Sequence, residues 1–316
     1  MTGVWLDRLA DPPSPETAAF NDRLERTLAD MPATHEVPPE MTRAARAEGR
    51  GILPFGGPME GAGWTPAPLP AGRARLIRPE GPARGLVVHV HGGGWTLGAP
   101  DQFDRWNLGL SRDSGAAVIS LPYRLAPENP WPAPIDDVVA GLAWALGAAG
   151  ALAGAGRIVV TGESAGAHLA LLALQRLRGT PGFDRIAGAS LFYGCYDLRM
   201  TPSMARWGAR KLVLSTPTVD WFIDNLTAGD RALRADPAAS PLLGDVAGLP
   251  PVQLAVGTAD PLVDDTLFLA GRLAAAGAAP QVHVAPGGVH AFDMFDTALA
   301  AEALAARAAF VRACCG

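Results

Sequence analysis

Beyond about residue 70, short apolar runs alternate with longer segments of helical periodicity. The runs at 86–90 and 157–161 are apolar on both faces, which requires a sheet covered by helices on both sides. Strands are predicted at 73–78, 86–90, 117–121, 157–161, 187–193, 252–256 and 281–285. Helices are predicted near 101–114, 134–149, 165–178, 263–276 and 297–311. The chain is therefore expected to be an α/β protein.

Two segments stand outside this alternation. Residues 14–28 carry a serine N-cap, a proline at the first helical position and an apolar residue at every fourth position, so they predict a helix. A second helix is expected at 39–48, followed by an irregular connector rich in glycine and proline. Residues 197–230 contain a long helical stretch with several aromatic side chains. The predicted division is 1–50 as N-terminal helices, 51–196 and 231–316 as the two parts of the core, and 197–230 as an insertion.

Charge and lysine content exclude several functions. The net charge of -5 argues against nucleic-acid binding, which normally needs a basic surface for phosphates. Lys211 is the single lysine, so a phosphate-binding lysine or a Schiff base would depend on that residue, and we discount both. The uncharged stretch at 138–156 is diluted by alanine and glycine and predicts a buried helix, with no membrane span.

The cysteines and the N-terminus bear on the compartment. Cys195, Cys314 and Cys315 form neither a disulfide framework nor a zinc-site spacing, and Cys195 is expected to be a small buried residue. The first residues lack the charged start and apolar run of a signal peptide. A reducing, cytoplasmic location is expected.

A candidate nucleophile lies between a predicted strand and a predicted helix. The sequence Gly-Glu-Ser-Ala-Gly at 162–166 places Ser164 on a sharp turn, and the glycines let neighbouring chains approach while the hydroxyl projects outward. An ordinary helix-capping serine in a glycine-rich turn is the alternative. The strand-to-helix context favours a nucleophile.

A glycine run follows the strand at 86–90. His91 is followed by three glycines and Trp95, and chance would give His-Gly-Gly-Gly only about 0.01 times in such a chain. Backbone N–H groups of this run, with that of Ala165, could stabilise an oxyanion. A phosphate-binding loop is less consistent with the spacing, because no Lys-Ser or Lys-Thr follows. Trp95 either lines an acyl pocket or packs under the loop.

A serine nucleophile needs a base and an acid that orients the base, expected later in the chain in the order acid, then histidine. His290 lies in a loop after the last predicted strand, whereas His283 lies inside that strand. His168 is one helical turn beyond Ser164 and is expected to be structural. Asp260 directly follows the strand at 252–256 and is the predicted acid, while Asp264 and Asp265 suit the helix dipole.

Taken together, these motifs resemble the bacterial hormone-sensitive-lipase-like (family IV) esterases of the α/β-hydrolase superfamily. The resemblance covers roughly residues 70–300 and rests on HGGGW at 91–95, YRLAPE at 123–128, GESAG at 162–166, DPL at 260–262 and the late His290. It implies an α/β-hydrolase fold with a helical cap built from the N-terminus and the insertion. It implies hydrolysis of short- to medium-chain carboxylic esters through an acyl-enzyme, without a cofactor or metal. By resemblance, the oxyanion donors are Gly93, Gly94 and Ala165.

Two positions depart from the family pattern. Glu163 stands where aspartate is most frequent, and Ala291 stands where glycine is usual. Neither belongs to the predicted triad, so they affect the expected substrate preference more than the chemistry. Tyr123 and Arg124 are expected to be buried structural residues.

Other activities remain alternatives to an esterase. The same triad would serve an amidase or arylformamidase, and a ligand-binding receptor on a disabled hydrolase scaffold is a third reading, disfavoured by the presence of His290. The expected partner is a small-molecule ester. The resemblance leaves a homodimer open.

Overall fold

A computed structural model describes residues 8–154 and 156–316 as one eight-stranded sheet with helices on both faces. Residues 1–7 of the predicted N-terminal segment, and residue 155 near the end of the 138–156 stretch, lie outside the described residues. The strands are β1 (Ala62–Thr65), β2 (Ala74–Ile77), β3 (Leu86–Val90), β4 (Ala117–Leu121), β5 (Ile158–Glu163), β6 (Ile186–Phe192), β7 (Val252–Ala259) and β8 (Gln281–Val289).

The helices are α1 (Pro15–Ala29), α2 (Pro39–Ala47), α3 (Asp104–Ser114), α4 (Ala133–Ala153), α5 (Ala165–Leu177), α6 (Pro202–Trp207), α7 (Thr216–Thr227), α8 (Val263–Ala275) and α9 (Ala298–Cys315). Short 3-10 helices lie at Arg8–Ala10, Thr34–Glu36, Pro100–Phe103, Phe183–Arg185, Leu233–Ala235, Pro241–Leu243 and Phe292–Met294. Within the described ranges, no helix is long and apolar enough to cross a membrane.

The sheet is mostly parallel. Its strand order is β1-β2-β4-β3-β5-β6-β7-β8, and only the pairings of β2 with β1 and with β4 are antiparallel. Every pairing from β4 to β8 is parallel, with a helix in each crossover. The predicted α/β class is therefore confirmed.

Adjacent strand residues pack on opposite faces of the sheet, because side chains alternate along a strand. Val88 and Ile119 belong to the core that includes α4, α5 and α8. Their neighbours Val87 and Val118 belong to the opposite core, where they meet side chains of α3 and α9 such as Val311. Both faces of the sheet are buried under helices, which explains why the strands are apolar without alternation.

The fold brings the candidate residues to one edge. His91, Ser164, Asp260 and His290 each come directly after the last residue of β3, β5, β7 or β8. These four strands are parallel, so their carboxyl ends meet at the same edge of the sheet.

Two predictions about the secondary structure were wrong. Strand β1 lies within the segment expected to be an irregular connector, and it adds an edge strand paired only with β2. The insertion holds two short helices, α6 and α7, in place of one long helical stretch.

Candidate active site

Ser164 occupies a strained turn between β5 and α5. Its backbone has φ 53° and ψ −122°, outside the regions that residues with a side chain normally adopt. Its N–H donates to the carbonyl of Phe192 at 2.9 Å, which anchors the turn to β6. Such strain is retained only where the surrounding structure enforces it, and it is concentrated at functional positions.

Glycines on both sides of Ser164 make this turn possible. A Cβ on Gly162 would lie 2.7 Å from the backbone of Gly166. A Cβ on Gly166 would lie 2.0 Å from the carbonyl oxygen of Val90 in β3. Both distances are impossible for real Cβ atoms, so these two positions require glycine for close backbone approach.

Three side chains from different loops form one hydrogen-bonded chain. His290 Nε2 lies 2.9 Å from Ser164 Oγ, and His290 Nδ1 lies 2.9 Å from Asp260 Oδ2. The other Asp260 oxygen accepts the Leu262 N–H at 2.8 Å, which fixes the carboxylate. His290 is 5% and Asp260 1% exposed, so the imidazole is held by a buried anion. The structure thus brings together the three residues predicted as nucleophile, base and acid.

The glycine run after β3 borders the same cavity as Ser164. Gly93, Gly94 and Ala165 all line this cavity, and no described residue accepts a hydrogen bond from their backbone N–H groups. Ala165 is the first residue of α5, so its N–H belongs to the positive end of the helix dipole. Unpaired N–H groups beside a nucleophile can stabilise a developing oxyanion.

Both segments outside the alternation contribute to the cavity wall. The cavity encloses about 850 Å³ including its open mouth. The N-terminal segment places Thr34 and Arg46 around it, and the connector that follows adds Ile52 and Leu53. The insertion places four residues around it, which are Val213, Leu214, Val219 and Phe222. These residues are mainly apolar, as in typical small-molecule sites.

Trp95 and His168 form a buried pair under the glycine run. Trp95 is 2% exposed and borders the cavity, while its indole N–H donates to His168 Nδ1 at 3.1 Å. His168 Nε2 in turn lies 2.7 Å from the carbonyl oxygen of Ala239. Burial lowers the pKa of His168 to about 4, so its imidazole is neutral. Trp95 therefore packs under the loop and also reaches the cavity wall.

Glu163 points its carboxylate away from the triad and into a buried polar cluster. Its oxygens lie 2.8 Å from His89 Nε2 and 2.5 Å from Arg307 Nη1. Burial acts to raise the pKa of Glu163, but the charges and hydrogen bonds of His89 and Arg307 lower it to about 2. The sequence did not reveal these partners, because Arg307 is one of two arginines in a helix and lies 144 residues away in the chain.

Ala291 adopts the conformation that explains why glycine is usual there. Its φ of 59° and ψ of 31° lie in the left-handed region, which is costly for residues with a Cβ. The turn directs the chain away from β8 directly after His290. The departure from glycine thus adds local strain and leaves the histidine in contact with Ser164.

Two further expected structural residues lie beside this site. The Tyr123 hydroxyl donates to the carbonyl of His91 at 2.9 Å, and Arg124 makes a two-pronged hydrogen bond to Asp137. Cys195 is buried and lines the cavity. In the part of the chain that the structure describes, no group of three histidine, cysteine or acidic residues could hold a metal ion.

The sequence is similar to a known protein family and to several hydrolases. A profile of the family described as alpha/beta hydrolase fold matches residues 87–294. The chain is similar to the carboxylic ester hydrolase LipN of Mycobacterium tuberculosis, at 37% identity over 71% of this chain and 62% of that protein. It is also similar to an ethyl acetate hydrolase of Pseudomonas putida, at 35% identity over 69% of this chain and 70% of that protein. The chain thus spans less than two thirds of the length of LipN.

Solved structures extend the similarity to nearly the whole chain. An esterase of Pyrobaculum calidifontis superposes with a TM-score of 0.83 at 27% identity, covering 96% of this chain and 99% of that one. A hormone-sensitive lipase from a metagenome library superposes with a TM-score of 0.82 at 26% identity, covering 97% and 100%. These similarities extend to most of the N-terminal segment, which lies outside the family match at 87–294, whereas the insertion lies inside it.

Proposed function

Since the chain belongs to the α/β-hydrolase fold family, in its hormone-sensitive-lipase-like branch, we propose that it is a serine carboxylesterase. The observation that carries the proposal is the continuous chain of hydrogen bonds from Ser164 through His290 to Asp260. The names of the related hydrolases point to the same bond type. The proposed substrates are carboxylic esters with short to medium acyl chains.

The first step is attack of Ser164 Oγ on the ester carbonyl. His290 Nε2 accepts the serine proton, for which the 2.9 Å distance is suitable. Asp260 accepts the Nδ1 hydrogen of His290, which leaves Nε2 as the basic nitrogen and stabilises the imidazolium that forms. The N–H groups of Gly93, Gly94 and Ala165 are the proposed donors to the oxyanion.

The remaining steps, which are loss of the alcohol and then hydrolysis of the acyl-enzyme, use the same groups. His290 gives its proton to the leaving alkoxide, so an alcohol departs and an acyl-enzyme remains on Ser164. Water then attacks the acyl carbon while His290 accepts its proton, and collapse of the intermediate returns the proton to Ser164 Oγ. Each proton has a donor and an acceptor in this chain or in water, so the proposal includes no cofactor.

We propose that segments 1–50 and 197–230 together form a cap over the site. Within the described part of these segments, Lys211 donates to the carbonyls of Ala29 and Met31 at 3.0 and 2.7 Å. His35 Nδ1 lies 3.0 Å from Thr218 Oγ1. These bonds support a single cap, and the residues that both segments place around the cavity support its location above Ser164. The segments 51–196 and 231–316 then form the catalytic core.

We also propose a cytoplasmic location. All three cysteines are free, which is consistent with a reducing compartment. Cell fractionation with the tagged full chain tests this, and recovery with exported proteins would contradict it.

The experiment for the main proposal combines labelling with turnover. The full chain and its S164A variant are treated with a fluorophosphonate probe, and hydrolysis of 4-nitrophenyl esters from acetate to laurate is measured beside the matching 4-nitroanilides. We expect labelling and ester turnover in the wild type only, with esters preferred over anilides. Preferred anilide cleavage would indicate an amidase, and a wild type that neither labels nor turns over would favour a ligand-binding role.

A further inference from the structure

Arg46 is the single arginine or lysine among the described residues that line the active-site cavity. It lies in the last turn of α2, in the N-terminal segment, and it is half-buried. The chain carries a net charge of -5, so this cation is not part of a generally basic surface. It lines the same cavity as Ser164.

The neighbouring arginine of the same helix shows what a structural role looks like. Arg43 lies one turn earlier, and its guanidinium donates to the carbonyls of Thr96 and Ala126, each at 2.8 Å. It also forms a two-pronged pair with Glu128, with both distances at 2.8 Å. Arg43 therefore fastens α2 both to the loop that follows the glycine run and to the loop after β4.

Arg46 has no such role. Its side chain makes no hydrogen bond or ion pair with any residue in 8–154 or 156–316. Burial lowers the pKa of Arg46 to about 10, so the group remains cationic at neutral pH while part of its hydration is lost. A cation in this position is stabilised most by an anion that enters the cavity.

The described lining residues offer Arg46 no free counterion. Glu163 is the one carboxylate among the described lining residues, and both of its oxygens are already bonded to His89 and Arg307. There is also room at Arg46, because a smaller cavity lined by Gly56 and Gln102 meets the main one there. The two cavities share Arg46, Ile52, Leu53, Phe103 and Met294.

We propose that Arg46 binds a free carboxylate on the ester substrate, so that the preferred substrates are esters carrying one additional ionised carboxyl group. The planar guanidinium matches a carboxylate with two parallel hydrogen bonds. This inference rests on the proposed esterase function and specifies its substrate class. The carboxylate can belong to the acyl part or to the alcohol part of the ester, and the experiment separates these two cases.

The test uses pairs of esters that differ only in charge. For the acyl part, mono-4-nitrophenyl adipate is compared with the 4-nitrophenyl ester of monomethyl adipate. For the alcohol part, 4-butanoyloxybenzoate is compared with its methyl ester. The value measured is the ratio of kcat/KM for the acid to kcat/KM for the methyl ester, so a general loss of activity cancels within each variant.

The variants are R46Q, R46K and R26Q. Arg26 is exposed on α1, so R26Q makes the same change in net charge away from the cavity. In at least one pair, we expect R46Q to lower the ratio by about tenfold or more, mainly through a higher KM for the acid. R46K should keep an intermediate ratio because it retains charge without the fork, and R26Q should keep the wild-type ratio.

Each alternative outcome has a distinct meaning. Equal ratios in wild type and R46Q for both pairs, or an equal fall in R26Q and R46Q, would overturn the role of Arg46 while leaving the esterase proposal intact. A wild type that hydrolyses no member of either pair would instead overturn the esterase proposal. If R46Q does not fold, the test rests on R46K. A ratio and a KM for the acid that are unchanged from wild type in R46K would contradict the forked contact between Arg46 and the carboxylate.

Discussion

Among the described residues, two serine–histidine–carboxylate chains are hydrogen-bonded, and the serine of only one of them lines the active-site cavity. In the second chain, Ser120 Oγ lies 2.7 Å from His89 Nδ1, and His89 Nε2 lies 2.8 Å from Glu163. The first chain, built on Ser164, starts at the very next residue after Glu163. Distances within the two chains are nearly the same, so the groups and their spacing do not separate them.

The difference lies in what surrounds each serine. Ser120 is 1% exposed near the end of β4, and it does not line the active-site cavity. Ser164 stands on a strained turn at the start of a helix, beside unpaired N–H groups and an open cavity. We therefore attribute the expected reactivity of Ser164, in contrast to Ser120, to access and to the proposed oxyanion donors more than to the three side chains.

Replacing each serine by alanine should give the largest contrast. We expect S164A to lower kcat/KM by roughly 10⁴- to 10⁶-fold and to abolish fluorophosphonate labelling, because the nucleophile is lost. S120A should keep labelling and nearly all turnover, at a cost of about 1–3 kcal/mol in the free energy of unfolding. Strong loss of turnover in folded S120A would contradict the structural assignment of the second chain.

The two carboxylates should separate activity from stability. Asp260→Asn should lower kcat by about 10⁴-fold, because the amide no longer holds the imidazole in the reactive tautomer. Glu163→Gln should lower the free energy of unfolding by about 3–5 kcal/mol, because Arg307 loses its buried counterion. Esterase kinetics and urea unfolding of both variants provide the measurement. If both variants lose the same amounts of kcat and of unfolding free energy, the separate roles assigned to Asp260 and Glu163 are wrong.

The second chain has no glycine run beside its serine. A side chain added to the glycine run near Ser164 should reduce turnover. A Cβ on Gly94 would lie 2.4 Å from the Phe222 ring, and φ is +60° there. We expect Gly94→Ala to lower kcat by about 10²-fold with labelling slowed in parallel. Gly147→Ala is the matched control, since a Cβ there meets nothing within 4 Å. An unchanged kcat in Gly94→Ala would remove this loop from the proposed oxyanion site.

Lowering the pH should reduce the stabilisation that Glu163 gives to the folded protein. The pKa of Glu163 is lowered to about 2 from an ordinary 4.5. Because the folded pKa is below the unfolded one, its contribution is complete above about pH 5 and is lost as the pH falls toward 2. The difference in unfolding free energy between wild type and Glu163→Gln should shrink by about 2 kcal/mol between pH 5 and pH 3.

Asp265 changes the stability in the opposite direction with pH. For this reason the measured quantity is the difference in unfolding free energy between wild type and Glu163→Gln. Burial raises its pKa to about 7, despite hydrogen bonds from Thr201, Asp197 and Tyr196. A raised carboxyl pKa reduces stability as the pH rises from about 4 toward 7. Asp265 is present in both proteins, so its effect cancels. A difference that stays constant from pH 5 to pH 3 would contradict the assigned pKa of Glu163.

Local signals were sufficient for most of the scaffold. The strands were recognised because a two-faced apolar run is required wherever helices cover both sides of a sheet. The turn around Ser164 was recognised because Gly162 and Gly166 must lack side chains for the backbone to pass. His290 and Asp260 were selected by their positions after strands, and their catalytic roles stay predictions until the variants are measured.

Features that depend on distant partners were missed. Strand β1 carries a weak local pattern and exists because β2 offers it an edge. Asp265 was interpreted as an acid at a helix terminus, but it accepts the backbone N–H groups of Tyr196 and Asp197 and the hydroxyl of Thr201. The partner of β1 is the next strand, and the partners of Asp265 lie 64 to 69 residues away in the chain. Neither feature is therefore encoded within its own element.

Periodicity and glycine-dependent turns in the sequence are enough to predict the class of fold and the order of the candidate triad. The assembled structure was needed to show that Ser120 is buried, that Glu163 faces Arg307, and that Arg46 lines the cavity without a partner among the described residues. The physical reason is that solvent access and the presence of a counterion are properties of assembled surfaces. They appear only when segments separated by tens or hundreds of residues pack together.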